Sequence, residues 1–193
     1  RAWGEALLDW KFASRRNECD PYATTAPGLA ELEAAFDAGR AGSLVTYLGH
    51  GGGTFWVMTG FDVGAAHNLT NTFGQNAVVL DGSCNCGDFA HTTIRGMDEC
   101  LAEAMMAGNP DVAGSGAVAM WSSAPEALWV PPADMTTGSI AALTGGYVTR
   151  LGPLVFAGAA YMRTQWPGDD GKYTIEGYNL FGDSMMGLDA LPL

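Results

Sequence analysis

Two residues of this chain have the types and settings that nucleophilic catalysis requires. His50 stands in Gly49-His50-Gly51-Gly52-Gly53, just after the apolar stretch Ser43–Leu48. Cys84 stands in Asp81-Gly82-Ser83-Cys84-Asn85-Cys86-Gly87, just after Val78-Val79-Leu80. A thiolate attacks a carbonyl carbon, and an imidazole beside it supplies or receives the protons. Gly51 lets a backbone N–H approach an oxyanion, and the amide of Cys84 is a second donor. One such donor is worth roughly 2.7–4 kcal/mol in acyl-transfer enzymes. Cys86 is the rival nucleophile, because in an extended chain it shares the side-chain direction of Cys84. Cys84 is preferred as the nearer to the strand end. The plain alternatives are a small buried cysteine and a turn histidine in a glycine-rich loop. The loop is not a phosphate cradle, since no Lys-Ser/Thr follows it. His67 and His91 have no comparable setting.

These residues need elements that bring them together. Val78–Leu80 is a short apolar run ending in small residues, the pattern of a buried strand reaching a sheet edge. In open parallel sheets, sites lie beyond the carboxyl ends of the strands. Parallel neighbours joined by a right-handed crossover would place His50 and Cys84 at one such edge. The chain opens with Trp3, Leu7, Leu8 and Trp10 in an amphipathic stretch. Next come a helix over 27–38, a strand over 43–48, a short apolar segment over 54–58 and a helix over 63–70. After the central strand, a helix is expected over 97–107 and a buried strand over 116–122. Pro125, Pro131 and Pro132 predict a loop over 124–134. A helix capped by Thr136 or Thr137 should run towards Arg150, another should span 154–165, and a last strand or turn 172–181. Helices alternating with strands predict an α/β fold with a mainly parallel central sheet.

The 193 residues suit a single domain over 1–193 with a sizeable core, and 48% of them are hydrophobic. The formal net charge is −12, and Lys11 and Lys172 are the only lysines, so a nucleic-acid backbone is excluded as a partner. No apolar run approaches the ~20 residues of a membrane span. The chain begins at Arg1 and not Met, so a processed product or fragment of a longer precursor is expected. Of Cys19, Cys84, Cys86 and Cys100, a catalytic thiol leaves three, enough for at most one internal disulfide. Cys84-Asn85-Cys86 is not a CxxC pair, so the spacing is poor for a metal.

Tyr47-Leu48-Gly49-His50-Gly51 followed by Trp56, then Cys84-x-x-Gly87-Asp88-Phe89, resembles the gingipain-like cysteine peptidases, family C25. Asp62-Val63 with Leu69-Thr70-Asn71, the run from Cys100 to Met105, Gly116–Ala119 with Ser122-Ser123, and the closing Gly177–Asp183 agree in order and spacing. The likeness covers about Leu44 to Met186. His50 and Cys84 alone would also suit caspases, metacaspases or legumains; the downstream segments favour the gingipain-like family. There are departures: Ser184 replaces a proline, Cys86 an asparagine, and Ala133 the methionine of arginine-specific members.

The resemblance implies a caspase-like α/β/α sandwich with His50 and Cys84 as the dyad. It implies an oxyanion hole from the backbone of Gly51 and Cys84, and Trp129 as a wall of the S1 pocket. It implies a cysteine endopeptidase acting through an acyl-enzyme on peptide or protein substrates. The alternative is a catalytically silent caspase-like binding or scaffold module. No cofactor is required, although the family allows a structural calcium. The acidic partner of the histidine and the acidic S1 residue come from sequence before the histidine strand. Asp9, Glu18 and Asp20 stand there without a clear alignment, so P1 specificity does not carry over. The chain reads as the catalytic half of the domain, with a companion chain from the same precursor and a secreted or cell-surface bacterial location.

Overall fold

The computed structural model describes residues 28–37, 44–90 and 98–188. Four strands form the central sheet: β1 (Leu44–Tyr47), β4 (Val78–Asp81), β5 (Ala119–Ser123) and β6 (Tyr178–Phe181), in the order β1-β4-β5-β6. β1, β4 and β5 run parallel, and β6 closes the sheet antiparallel to β5. Between β1 and β4, the strands β2 (Phe55–Trp56) and β3 (Phe61–Asp62) pair as a small antiparallel ribbon.

Every residue of β4 is buried. A strand covered on both faces is apolar along most of its length, which is why Val78-Val79-Leu80 reads as an unbroken run. Successive side chains alternate between faces and divide the core in two. On one face Val79 and Met120 pack with Tyr47, Trp56, Phe61, Leu101 and Met105. On the other, Val78 and Leu80 pack with Trp121, Met135, Leu151, Leu154 and Met162. The first face is covered by α1 (Leu29–Asp37), α2 (Val63–His67) and α3 (Leu101–Ala107). The second is covered by α4 (Pro131–Thr144) and α5 (Leu151–Gln165). The result is the α/β/α sandwich with a mainly parallel sheet that the sequence implies.

Three expectations need correction. The prolines do not make all of 124–134 a loop. Pro131 and Pro132 occupy the first turn of α4, where a missing N–H costs nothing and the fixed φ suits the helix. That helix stops at Thr144, and Arg150 is instead the N-cap of α5, which starts earlier than Leu154. Lys172–Gly177 is neither strand nor turn, because a helix, α6 (Asp169–Gly177), precedes β6. Asp169 and Asp170 in its first turn complement the positive end of the helix dipole. Smaller differences lie at element ends. α2 is capped by Asp62, whose Oδ1 accepts from the Ala65 N–H at 2.8 Å, and ends at His67, short of Thr70. α3 begins at Leu101, after Glu103 accepts the N–H of its N-cap Cys100 at 2.8 Å, the reciprocal half of a capping box. The amphipathic stretch at Trp3–Trp10 and Met97 lie outside the described residues.

Candidate active site

β1 and β4 end side by side, with Tyr47 opposite Asp81. The pairing continues one step further, the Gly82 N–H donating to the Tyr47 carbonyl at 2.7 Å. The loops bearing His50 and Cys84 therefore leave the same edge of the sheet. His50 is exposed, but its main chain is fixed. Its carbonyl accepts from the Tyr47 hydroxyl at 2.9 Å and from the Val57 N–H at 2.9 Å. The Tyr47 ring in turn stacks on Trp56, centroids 4.6 Å apart.

Gly51 lies against the cysteine turn. A Cβ there would stand 2.6 Å from the Cys84 carbonyl oxygen and 2.6 Å from Ser83 Oγ. Only a residue without a side chain lets the two loops approach this closely. The cysteine turn is built around Asn85, whose φ of 62° is left-handed, a conformation that asparagine tolerates better than most residues. The Asn85 N–H donates to the Pro125 carbonyl at 3.0 Å, and the Gly87 N–H to the Ser123 carbonyl at 2.9 Å. The first N–H groups of α3, orphans in any helix, complete the frame. Leu101 donates to the Gly53 carbonyl and Ala102 to the Cys86 carbonyl, both at 2.9 Å. One helix end thus ties the histidine loop to the cysteine loop.

The Cys84 thiol is half-buried, and its sulfur accepts from the Ala127 N–H at 3.3 Å. Ala127 belongs to the loop between β5 and α4, and so does Trp129, which is 60% exposed. The Trp129 ring lies 5.2 Å from the His50 ring, tilted by 39°. The loop after β5 therefore touches both candidate residues. His50, Gly51, Cys84 and Trp129 converge on one sheet edge.

Cys86 goes elsewhere. The expectation that it shares the direction of Cys84 assumes an extended chain, and the left-handed Asn85 breaks that alternation. Cys86 is fully buried, its sulfur 3.6 Å from the Phe55 carbonyl. Burial, and then the negative charge of Asp81, push its thiol well above the usual range. Cys100 is also buried, and burial pushes it up to about 12. Both thiols stay protonated and pack as small apolar groups. Cys84, Cys86 and Cys100 are all free; Cys19 lies outside the described residues.

Sequence reasoning missed Asp81. This carboxylate closes β4 and is buried. Oδ1 accepts from the Trp56 indole N–H at 3.2 Å and from the Ser83 N–H at 3.1 Å, and Oδ2 from the Ser122 hydroxyl at 2.5 Å. Burial pushes its pKa up to about 6, against the pull of the hydrogen bonds from Ser122, Ser83 and Trp56. The only sequence signal was an acid completing a run otherwise apolar, Val78–Asp81.

His67 has a structural setting. Its Nδ1 lies 2.7 Å from the Gly108 carbonyl and its Nε2 2.6 Å from Glu99 Oε1, which joins α2 to both ends of α3. The Gly108 carbonyl and then Glu99 raise its pKa above the ordinary value. His91, Asp9, Glu18 and Asp20 lie outside the described residues. Among the described residues, no group of three or more His, Cys, Asp or Glu side chains is placed to hold a metal ion. No helix among them is long and apolar enough to cross a membrane.

Comparison with known proteins bears on the family and the fold. Gingipain R2 and gingipain R1 of Porphyromonas gingivalis are each 35% identical to the chain over 98 residues, 51% of its length. That match spans 12% of the first relative and 9% of the second. The crystal structure of the Arg-specific cysteine proteinase gingipain R superposes with a TM-score of 0.81 at 26% identity. The superposition covers 95% of this chain and 41% of that one. A complex of Porphyromonas gingivalis RgpB pro- and mature domains gives a TM-score of 0.80 at 24% identity, over 98% of this chain and 42% of that one. The fold is thus the caspase-like α/β sandwich of the gingipains, and the chain spans less than half of each of these two solved chains. The model of peptidase family C25 matches residues 10–189, nearly the whole sequence, and the chain belongs to that family.

Proposed function

We propose that the chain carries the catalytic dyad of a cysteine endopeptidase. The observation that carries this reading is the half-exposed Cys84 thiol, held by the Ala127 N–H in a left-handed turn against Gly51, with His50 on the adjoining loop. Membership of family C25 supports it.

In this mechanism His50 takes the thiol proton, and the Cys84 sulfur attacks the carbonyl carbon of the scissile peptide. Negative charge collects on the carbonyl oxygen and is met by the backbone N–H groups of Gly51 and Cys84. The C–N bond breaks as His50 returns the proton to the leaving amine, and a thioester remains on Cys84. Water then attacks the thioester, gives its proton to His50 and releases the carboxylic acid, and the proton returns to the thiol. Trp129, exposed beside His50, forms a wall of the subsite for the P1 side chain.

Substrates in this reading are peptides or proteins. A solved relative is a complex of pro- and mature domains, and by analogy this chain works with a companion segment of the same precursor, outside the cytoplasm or at the bacterial surface. The test is substitution and labelling. Cys84→Ala in the intact, processed protein should abolish peptide cleavage and labelling by a peptidyl chloromethyl ketone. Labelling that survives in this variant would assign the nucleophile elsewhere. Failure of the wild type to cleave any member of a broad peptide library would favour the silent scaffold.

A further inference from the structure

Asp81 lies between the two halves of the candidate site. Among the described residues, three hydrogen-bond donors reach it from three segments: Trp56 on β2, Ser83 on the cysteine turn and Ser122 on β5. Each leads to a site element within one further contact or two. Ser83 directly precedes Cys84 and lies against the position of Gly51. Trp56 stacks on Tyr47, whose hydroxyl holds the His50 carbonyl. Ser122 adjoins Ser123, whose carbonyl holds the Gly87 N–H at the far end of the cysteine turn. An indole, an amide and a hydroxyl surround the carboxylate, and among the described residues no cation is a partner. Among the described residues, the titratable groups facing it are Cys86, on the loop after β4, and Tyr178 of β6, both of which its negative charge pushes further up. A carboxylate buried without a cation is expensive, and a core built for stability alone is better served by an apolar residue.

We propose that Asp81 is the positioning residue that sets the placement of Cys84 relative to His50, holding the cysteine turn through the Ser83 amide and the histidine loop through Trp56 and Tyr47. The inference rests on the dyad reading above. It assigns Asp81 no contact with substrate. Its effect is geometric, and displacement of a reacting group by about 1 Å costs on the order of 100-fold in rate.

The pH dependence follows from the same contacts. Below about pH 6 the carboxyl becomes neutral. A proton on Oδ2 must then be donated towards Ser122 Oγ, and the neutral Oδ1 accepts less strongly from Ser83 and Trp56. The turnover rate should fall in this range through a change of geometry.

The experiment measures kcat, KM and the rate of chloromethyl ketone inactivation between pH 5 and 8 for the intact protein and three variants. Asp81→Ala should lower kcat on the order of 100-fold with KM within about twofold. Trp56→Phe keeps an aromatic ring beside Tyr47 but loses the N–H, and should lower kcat about tenfold, by the same geometric argument. Asp81→Asn keeps a neutral acceptor for Ser83 and Trp56, so it should turn over faster than Asp81→Ala, at the rate of the wild type with its carboxyl protonated, while the component titrating near 6 disappears. If Asp81→Ala fails to fold, the other two variants decide. Wild-type kcat and an unchanged pH profile in both, with the wild type active and labelled at Cys84, overturn this inference alone. A wild type that neither cleaves nor is labelled overturns the dyad reading, and the inference with it.

Discussion

The two described histidines of this chain are held in opposite ways. At His50 the main chain is fixed by Tyr47 and Val57, and the exposed imidazole meets the Trp129 ring. At His67 the imidazole itself is fixed, with one nitrogen on the Gly108 carbonyl and the other on Glu99. A proton carrier needs a ring free to exchange protons on a rigid base; a structural histidine needs its ring occupied. The cysteines repeat the contrast. Cys84 is half-buried with a backbone N–H aimed at its sulfur. Cys86, two residues on, is sealed in the core with its thiol pushed up by burial. Residue type is the same within each pair, and surroundings separate them.

The widest separation should appear between the cysteines. Cys84→Ala should cut kcat/KM by a factor on the order of 10⁴ or more. Cys86→Ala should leave it within a few-fold and lower stability by about 1–2 kcal/mol, the cost of a small core cavity. Equal loss of activity in both, measured on folded protein, would erase the distinction drawn here. Between the histidines, His50→Ala should cost about 10²–10⁴ in rate, whereas His67→Ala should alter chiefly the thermal midpoint. A kcat change at His67 as large as that at His50 would be the contrary result.

Asp81 sharpens the comparison, because there stability and placement pull apart. Its pKa is raised to about 6 in the folded chain, so the folded state binds the proton more tightly than the unfolded one. Stability should fall as pH rises from about 4 to about 6, by roughly 3 kcal/mol in all. Asp81→Asn should therefore unfold at higher temperature than the wild type near pH 7.5 and not near pH 4, while turning over more slowly. Thermal melts at the two pH values read this directly, and a variant less stable at pH 7.5 contradicts it. The smallest effect belongs to His67. Its raised pKa means that its ion pair with Glu99 stabilises the fold fully below about pH 6.5 and ceases to do so as pH rises through the folded value. Glu99→Gln should flatten the thermal midpoint against pH over that window; an unchanged profile would show that the pair contributes nothing measurable.

Several features were legible in the chain because a local rule governs them. Val78-Val79-Leu80 is an apolar run because β4 is covered on both faces, and the run announces the central strand. Leu29, Leu32 and Phe36 mark α1 by their spacing. The glycines of 49–53 mark a place where backbones meet, and Gly51 does lie against Cys84. Pro131 and Pro132 were misread because proline both interrupts a helix and opens one, and only the packing of Pro131, Pro132 and Met135 in the core distinguishes the two. At 172–177, the burial of Gly171 and Thr174, three residues apart, reveals the helix. In the sequence the stretch is polar and short enough to be read as a turn.

Sequence alone determined the chemistry on offer, a thiol and an imidazole at the ends of two apolar strands, and the α/β class that carries them, because burial on two faces and helical spacing leave their pattern in residue order. Tertiary structure decided which thiol is accessible. A single left-handed residue, Asn85, sends Cys84 towards Ala127 and Cys86 towards Phe55, and a φ angle has no signature in composition. It also decided that Asp81 is a buried hub, because Trp56, Ser83 and Ser122 meet its carboxylate only when β2, β4 and β5 assemble.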